Sequence, residues 1–243
     1  MNLLVFEHHR HDTPAELGRI LQQHGYRLRI VRLYAGEPVP ADLDEIDGLI
    51  SLGGPMNVDQ NEQHPWLDAE RATLRQAHEA GVPIVGVCLG AQLVAEALGG
   101  QVGPMDQPEV GWHDVTLAFG GTIDPIYAGI GWTTTQFHAH RQQVTQLPPA
   151  AVPLASSKMC RHQAFRVGLT TYAFQYHFEW NLDDLKQVAT SDLVRQAGQD
   201  PDRIMAECRK YYDDYRRLGD RLSTTIATVL FVAGRRHAVG GAA

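Results

Sequence analysis

The sequence predicts an open, doubly wound α/β sheet, mostly parallel, with helices on both faces. Three observations carry this prediction. Strand-like and helix-like segments alternate through about the first hundred residues, the order from which parallel sheets are wound. The strand-like segments are short apolar runs, as expected of strands covered on both faces. Proline and glycine stand at the helix boundaries, where their backbone preferences start and stop helices.

Leu3–Phe6 is the first apolar run. Thr13-Pro14-Ala15-Glu16 reads as a capping box with proline at the first helical position. Leu17, Ile20 and Leu21 supply that helix's apolar stripe, and Gly25 closes it. Leu28–Leu33 alternates as a second strand, and Gly48–Leu52 reads as a third. Pro65 opens a helix whose buried face can draw on Trp66, Leu67, Leu74 and Ala77, ending at Gly81. Pro83–Val87 is a fourth strand, and Leu89–Leu98 is a helix ended by Gly99-Gly100.

From about residue 101 to 180 the pattern changes. Val115–Leu117, Gln163–Val167 and Tyr172–Phe178 alternate between Gly/Pro-rich turns, predicting a small antiparallel extension. Beyond Trp180 the chain reads as helical over Leu182–Ala197 and again over Asp202–Arg235. The second stretch is amphipathic, with Ile204, Met205, Cys208, Tyr211, Tyr212, Tyr215 and Leu218 among mixed charges. Such a helix packs on its own domain or on a second copy in a homodimer. No linker or repeat divides the chain, so residues 1–181 are expected to form the domain and 182–243 a helical extension packed on it.

Twenty-one Lys and Arg against 28 Asp and Glu give a net charge of −7, the wrong sign for a general nucleic-acid surface. Three cysteines, at 88, 160 and 208, make no disulfide framework and fit reduced thiols in a cytoplasmic protein. Met1–Phe6 is too short and lacks the basic lead of a signal peptide. Ile226–Gly234 is about half the length needed to cross a bilayer. Neither a nucleic acid nor a membrane is an expected partner.

The chemistry concentrates where a strand meets a helix. In Pro83–Gln92, Cys88 sits at the junction with Gly86 and Gly90 two residues to either side. This is the pattern of a nucleophile elbow, in which small neighbours relieve the crowding of a sharp strand-to-helix turn. A helix N-terminus also favours an anionic sulfur through its dipole and free N–H groups. Cys160 and Cys208 lack this frame and read as buried structural thiols.

A cysteine nucleophile needs a base and a group to orient it. In Ala173–Trp180, alternation along a strand points His177 and Glu179 the same way and Tyr176 and Phe178 to the other side. Glu179 can then hold one imidazole nitrogen while the other faces the thiol. Ser51-Leu52-Gly53-Gly54-Pro55-Met56 follows a neighbouring strand, and its glycines let backbone N–H groups approach an oxyanion.

Taken together, Gly53-Gly54-Pro55, Gly86-Val87-Cys88-Leu89-Gly90-Ala91-Gln92, Glu109-Val110-Gly111-Trp112 and Gln175-Tyr176-His177-Phe178-Glu179 resemble the ordered motifs of a class I glutamine amidotransferase domain, of the GMP synthetase-like, stand-alone kind. The resemblance spans about residues 3 to 180 and implies a flavodoxin-like fold. It also implies a Cys88–His177–Glu179 triad, an oxyanion hole from the N–H groups of Gly54 and Leu89, and substrate contacts from Gly53, Gln92, Glu109, Gly111 and Trp112. Its substrate would be glutamine or another γ-glutamyl compound. Phe178 departs from the family pattern, which has proline after the histidine. No phosphate-cradling Gly-x-x-x-x-Gly-Lys-Ser/Thr sequence is present, so an ammonia-accepting synthetase would be a separate polypeptide.

Three functions stay open on sequence alone. The chain is the ammonia-donating component of a synthetase, a stand-alone hydrolase of γ-glutamyl amides or peptides, or a non-catalytic regulatory module of the same fold. No cofactor and no metal are expected. Adjacent histidines in His8-His9-Arg10-His11 diverge and read as a polar loop at the substrate edge, and His138 and His140 also read as loop residues.

Overall fold

The computed structural model describes residues 1–232 of the chain, so the last residues of the two apolar and charged C-terminal stretches, Gly234 and Arg235, lie outside the described residues. Strands β1 (Asn2–Glu7), β2 (Arg27–Arg32), β3 (Gly48–Ser51) and β4 (Ile84–Val87) alternate with helices α1 (Ala15–Gln23), α2 (Trp66–Glu79) and α3 (Leu89–Ala97). A long hairpin follows, β5 (Gln101–Leu117) and β6 (Thr133–Gln146), with the short helix α4 (Phe119–Ile123) between its arms. Then come β7 (Val152–Ser156), β8 (Ala164–Val167) and β9 (Thr171–Phe174). Helices α5 (Leu182–Ala189), α6 (Asp192–Gln196) and α7 (Pro201–Thr225) close the described chain, the last running into a π-helical turn, Ile226–Leu230.

The nine strands of the described residues form one sheet in the order β2-β1-β3-β4-β9-β8-β7-β5-β6. The first five in that order are mutually parallel; from β9 outward every pairing is antiparallel. Period-two alternation sorts the strand side chains into two cores. Leu3, Val5, Ile50, Val85 and Phe174 face Leu17 and Leu21 of α1 and Leu222 and Ile226 of the C-terminal helix. Leu4, Phe6, Leu49 and Ile84 face Leu67 and Leu74 of α2 and Leu93 and Val94 of α3. The doubly wound arrangement follows directly.

The antiparallel part is larger than the sequence suggested. Gly103, Pro104, Pro108 and Gly111 interrupt alternation in β5, yet the strand continues past them with a register shift between Pro104 and Glu109. It meets β7 only at Thr116 and Leu117, so most of β5 has one ladder partner, where proline is tolerated. Tyr172–Phe178 is also corrected: the strand stops at Phe174, and it pairs parallel with β4 as well as antiparallel with β8.

The expected capping box does not form. Pro14 occupies the N-cap without a side-chain cap bond, and the Glu16 carboxylate instead pairs with Arg19 and with Arg216 of α7. Helix α7 packs on its own chain. Ile204, Cys208 and Tyr215 join Val110, Trp112, Phe137, Trp180, Leu185 and Val194 in a third apolar cluster. In the C-terminal third of α7, a Cβ on Gly219 would stand 2.3 Å from the Phe178 carbonyl oxygen. Gly→Ala inside a helix ordinarily stabilises by up to about 1 kcal/mol. At Gly219 the overlap reverses the sign, and we expect Gly219→Ala to cost about 1–3 kcal/mol, read as a lower urea midpoint with an unchanged slope.

Candidate active site

The end of β4 determines where the nucleophile stands. Cys88 leaves the strand at φ 51°, ψ −106° and caps α3, a conformation that side chains rarely adopt. Its N–H donates to the Phe174 carbonyl at 2.8 Å, which ties the turn to β9. Both flanking glycines are required by contact. A Cβ at Gly86 would lie 2.7 Å from the Gly90 carbonyl oxygen, and one at Gly90 would lie 2.0 Å from that of Ser51. Any larger residue would push the turn off the sheet.

His177 and Glu179 lie beyond β9, where the chain has left the ladder. One isolated bridge, from the His177 N–H to the Phe137 carbonyl at 3.0 Å, fixes the backbone there. The alternation nonetheless persists. Tyr176 and Phe178 turn together into the sheet core, rings 6.3 Å apart, while His177 Nδ1 lies 2.7 Å from Glu179 Oε1. The second carboxylate oxygen, Oε2, accepts the Phe178 N–H at 2.9 Å. A proline at 178 has no N–H to give, so the departure from the family pattern adds a bond that clamps the acid.

Trp180 stacks on the imidazole with ring centroids 3.4 Å apart and planes 11° apart. The ring also interacts electrostatically with Cys88, whose Sγ lies 4.0 Å from the Ala139 carbonyl oxygen. Burial alone would depress the His177 pKa, but the Glu179 carboxylate, with Cys88, outweighs it and holds the pKa up at about 10. The histidine therefore keeps its proton through neutral pH.

These side chains border a cavity of ≈ 470 Å³. Gly54, Leu89, Gln92, His140, Arg141 and Trp180 line it with Cys88 and His177, as do His9, His11 and Asp12 from the β1–α1 loop and residues of α5 and α6 from Asp184 to Gln196. Among the described residues, neither the Gly54 N–H nor the Leu89 N–H meets a protein acceptor. Two free donors thus border the cavity that holds the thiol. Gln92 is held by its amide, donating to the Gln142 carbonyl at 3.0 Å and to Gln175 Oε1 at 3.1 Å. Gly53 abuts the triad, since a Cβ there would lie 2.9 Å from the His177 ring.

Glu109, Gly111 and Trp112 do not line the cavity; they lie behind its wall. Trp112 packs edge-on to Phe137 and Tyr215, and Gly111 lies near Ile204. Glu109 is fully buried. Its carboxylate accepts from Ser157 Oγ at 2.6 Å, Gln163 Nε2 at 2.6 Å and His140 Nε2 at 3.1 Å, and burial is overcome by these bonds and by the histidine charges, which lower its pKa to about 2. It steadies His140, which does line the cavity.

His138 and His140 are not loop residues but buried positions on β6. Glu109, His138 and His140 have donor atoms within 4.8 Å of one another, the spacing of a candidate cation site. The Glu109 carboxylate already holds three hydrogen bonds, and His140 Nδ1 lies 3.0 Å from the Gln142 carbonyl. The group is complete as a hydrogen-bonded support, His138 aside. Sequence reasoning also missed Glu70 and the α5–α6 wall, which reach the site through contacts distant in sequence, and Trp180, whose stacking on His177 three residues back departs from strand alternation.

Comparison with known proteins finds likenesses over most of the chain. The model of the family "Glutamine amidotransferase class-I" matches residues 15–196. The chain is 32% identical over 221 residues to the glutamine amidotransferase-like protein YfeJ of Salmonella typhimurium, covering 87% of this chain and 91% of the relative. It is 30% identical over 179 residues to one of the subunits of the glutamine-hydrolyzing GMP synthase of Halobacterium salinarum, covering 73% and 88%. In fold it matches a glutamine amido transferase from Methylobacillus flagellatus with a TM-score of 0.82 at 23% identity, covering 96% and 94%.

The His177–Glu179 pair makes a pH prediction with a definite sign. A histidine whose pKa rises on folding contributes stability that is complete below its unfolded value, about 6.5, and that disappears as pH climbs toward about 10. Glu179→Gln should lower the His177 midpoint by more than about one unit, followed by NMR of the imidazole Cε1–H. The same variant should flatten the loss of thermal stability that the wild type shows across that window.

Proposed function

The chain belongs to the class I glutamine amidotransferase family, cysteine-dependent amidohydrolases, and we propose that Cys88, His177 and Glu179 hydrolyse the side-chain amide of glutamine. The observation that carries this reading is their chain of contacts, thiol to imidazole to carboxylate, opening on a cavity bordered by two unengaged backbone N–H groups. His177 enters the reaction already holding the proton, and the paired Cys88 sulfur attacks the amide carbon. The amide oxygen becomes an oxyanion that accepts from the N–H groups of Gly54 and Leu89. Collapse breaks the C–N bond, His177 hands its proton to the departing nitrogen, and ammonia leaves a γ-glutamyl thioester. His177, now neutral, deprotonates a water that attacks the thioester, giving glutamate, freeing the sulfur and leaving the proton on the imidazole. Glu179 keeps the imidazole in the orientation that both transfers require.

A relative named as part of a glutamine-hydrolyzing synthase supports delivery of the ammonia to a separate acceptor chain. The cavity favours a second reading. At ≈ 470 Å³ it falls in the range that encloses drug-sized ligands, and α5 and α6 wall it beyond the triad. That room suits a γ-glutamyl amide or peptide whose amine portion is larger than ammonia.

Glutamate release from glutamine and from a γ-glutamyl dipeptide separates the two. An ammonia donor turns over slowly on both until its partner is added, whereas a stand-alone hydrolase gives the higher kcat/KM on the dipeptide without one. Under either reading Cys88→Ala should reduce release by at least about 10³-fold. Full activity in that variant would exclude the triad.

A further inference from the structure

We propose that His8 is a positioning residue of the oxyanion hole, tying the Gly53 carbonyl to Glu70 so that the Gly54 N–H is held toward the carbonyl under attack. The inference rests on the reading of Gly54 and Leu89 as the oxyanion donors. It accounts for the one histidine of the His8–His11 run that does not border the cavity.

His8 is the first residue past β1 and is fully buried. Its Nδ1 lies 3.0 Å from the Gly53 carbonyl oxygen, and its Nε2 lies 2.8 Å from Glu70 Oε2. A carbonyl oxygen can only accept, so Nδ1 carries a proton. Glu70, itself buried on α2, takes the Ser51 hydroxyl on its other oxygen at 2.6 Å. Ser51 ends β3, two residues before Gly53. Trp66 stacks on the histidine ring at 5.1 Å, with planes 11° apart. The imidazole is therefore gripped at both nitrogens and on one face.

The consequence follows from peptide geometry. The Gly53 carbonyl and the Gly54 N–H are opposite ends of one planar trans unit. Fixing the oxygen on His8 directs the N–H the other way, and Gly54 borders the cavity with Cys88 and Leu89. Without that bond, two successive glycines would leave the peptide free to rotate. Close packing enforces the arrangement, since a Cβ on Gly54 would lie 2.8 Å from the His8 Cβ. Burial disfavours charge on His8, but Glu70 overcomes it and raises the pKa. A hydrogen bond donated to the carbonyl polarises the peptide and strengthens the N–H at its far end.

An oxyanion donor acts only once negative charge develops, so its loss lowers kcat and spares KM. Kinetics on glutamine and on γ-glutamyl-p-nitroanilide test the idea. We expect His8→Ala to lower kcat by about 10- to 100-fold, less than deleting a donor outright, with KM within about two-fold. Asparagine places an amide nitrogen where Nδ1 stood and glutamine places one nearer Nε2. His8→Asn should therefore recover most of kcat, and His8→Gln should not.

Alkylation of Cys88 by iodoacetamide, a displacement that forms no oxyanion, should proceed at the wild-type rate in all three variants. Full kcat in His8→Ala overturns the proposal, as does a fall in which KM rises in step, or rescue by Gln but not Asn. If His8→Ala does not fold, the Asn and Gln pair decides the matter alone. A wild type that releases glutamate from neither substrate removes the hydrolase reading, and the proposal with it. Turnover that ignores His8 removes only the proposal.

Discussion

The arrangement of this molecule depends on a single contorted residue. Cys88 holds φ 51° at the end of β4, a strained backbone that persists only when its surroundings over-determine it. Here they do. The turn is hung from Phe174 of β9 by a backbone bond, and α3 presses so close that Gly86 and Gly90 leave no room for a methyl group. Because β4 and β9 are adjacent in the sheet, the bond that secures the sulfur also sets where the next strand ends. That end begins the short run leading to His177. Nucleophile and base are thus located by one piece of sheet geometry, although they stand far apart along the chain.

Around that pair the supporting groups fall into two kinds. Glu179, Trp180 and the Phe178 N–H touch the imidazole or its carboxylate and decide how the ring sits. A second ring of buried polar residues acts on backbone and wall. The set Ser51, Glu70 and His8 grips the glycine loop, and the set Glu109, Ser157, Gln163 and His140 grips the β6 wall. Buried carboxylates and imidazoles are costly unless fully hydrogen-bonded. Their satisfaction makes them rigid, which suits groups that hold a reaction site in register.

The legible and illegible parts of the sequence divide along range of contact. Cys88 with its glycines, and His177 with Glu179, are local patterns that a strand or a strand–helix turn displays within a few residues. The parallel half of the sheet was legible for the same reason. The β5–β6 hairpin was hidden because proline and glycine break its alternation and because a strand with one free edge has no need to be uniformly apolar. Glu109, Gly111 and Trp112 were drawn into the site by resemblance, yet they shape its wall from behind. His8 and Glu70 stand 62 positions apart, and no local pattern announces such a pair. The failed capping box teaches the same lesson, since Glu16 is claimed by Arg216 of a helix 200 positions away.

Helix α7 gives the molecule a temporal dimension. It is 25 residues long, a rod of roughly 37 Å, and it rests against the hairpin near Ile204, against α1 at Arg216 and against the Phe178 carbonyl at Gly219. The segment bearing the base therefore has its backing supplied by residues translated after it. A ribosome-bound chain that stops short of Gly219 lacks the contact that backs the Phe178 carbonyl.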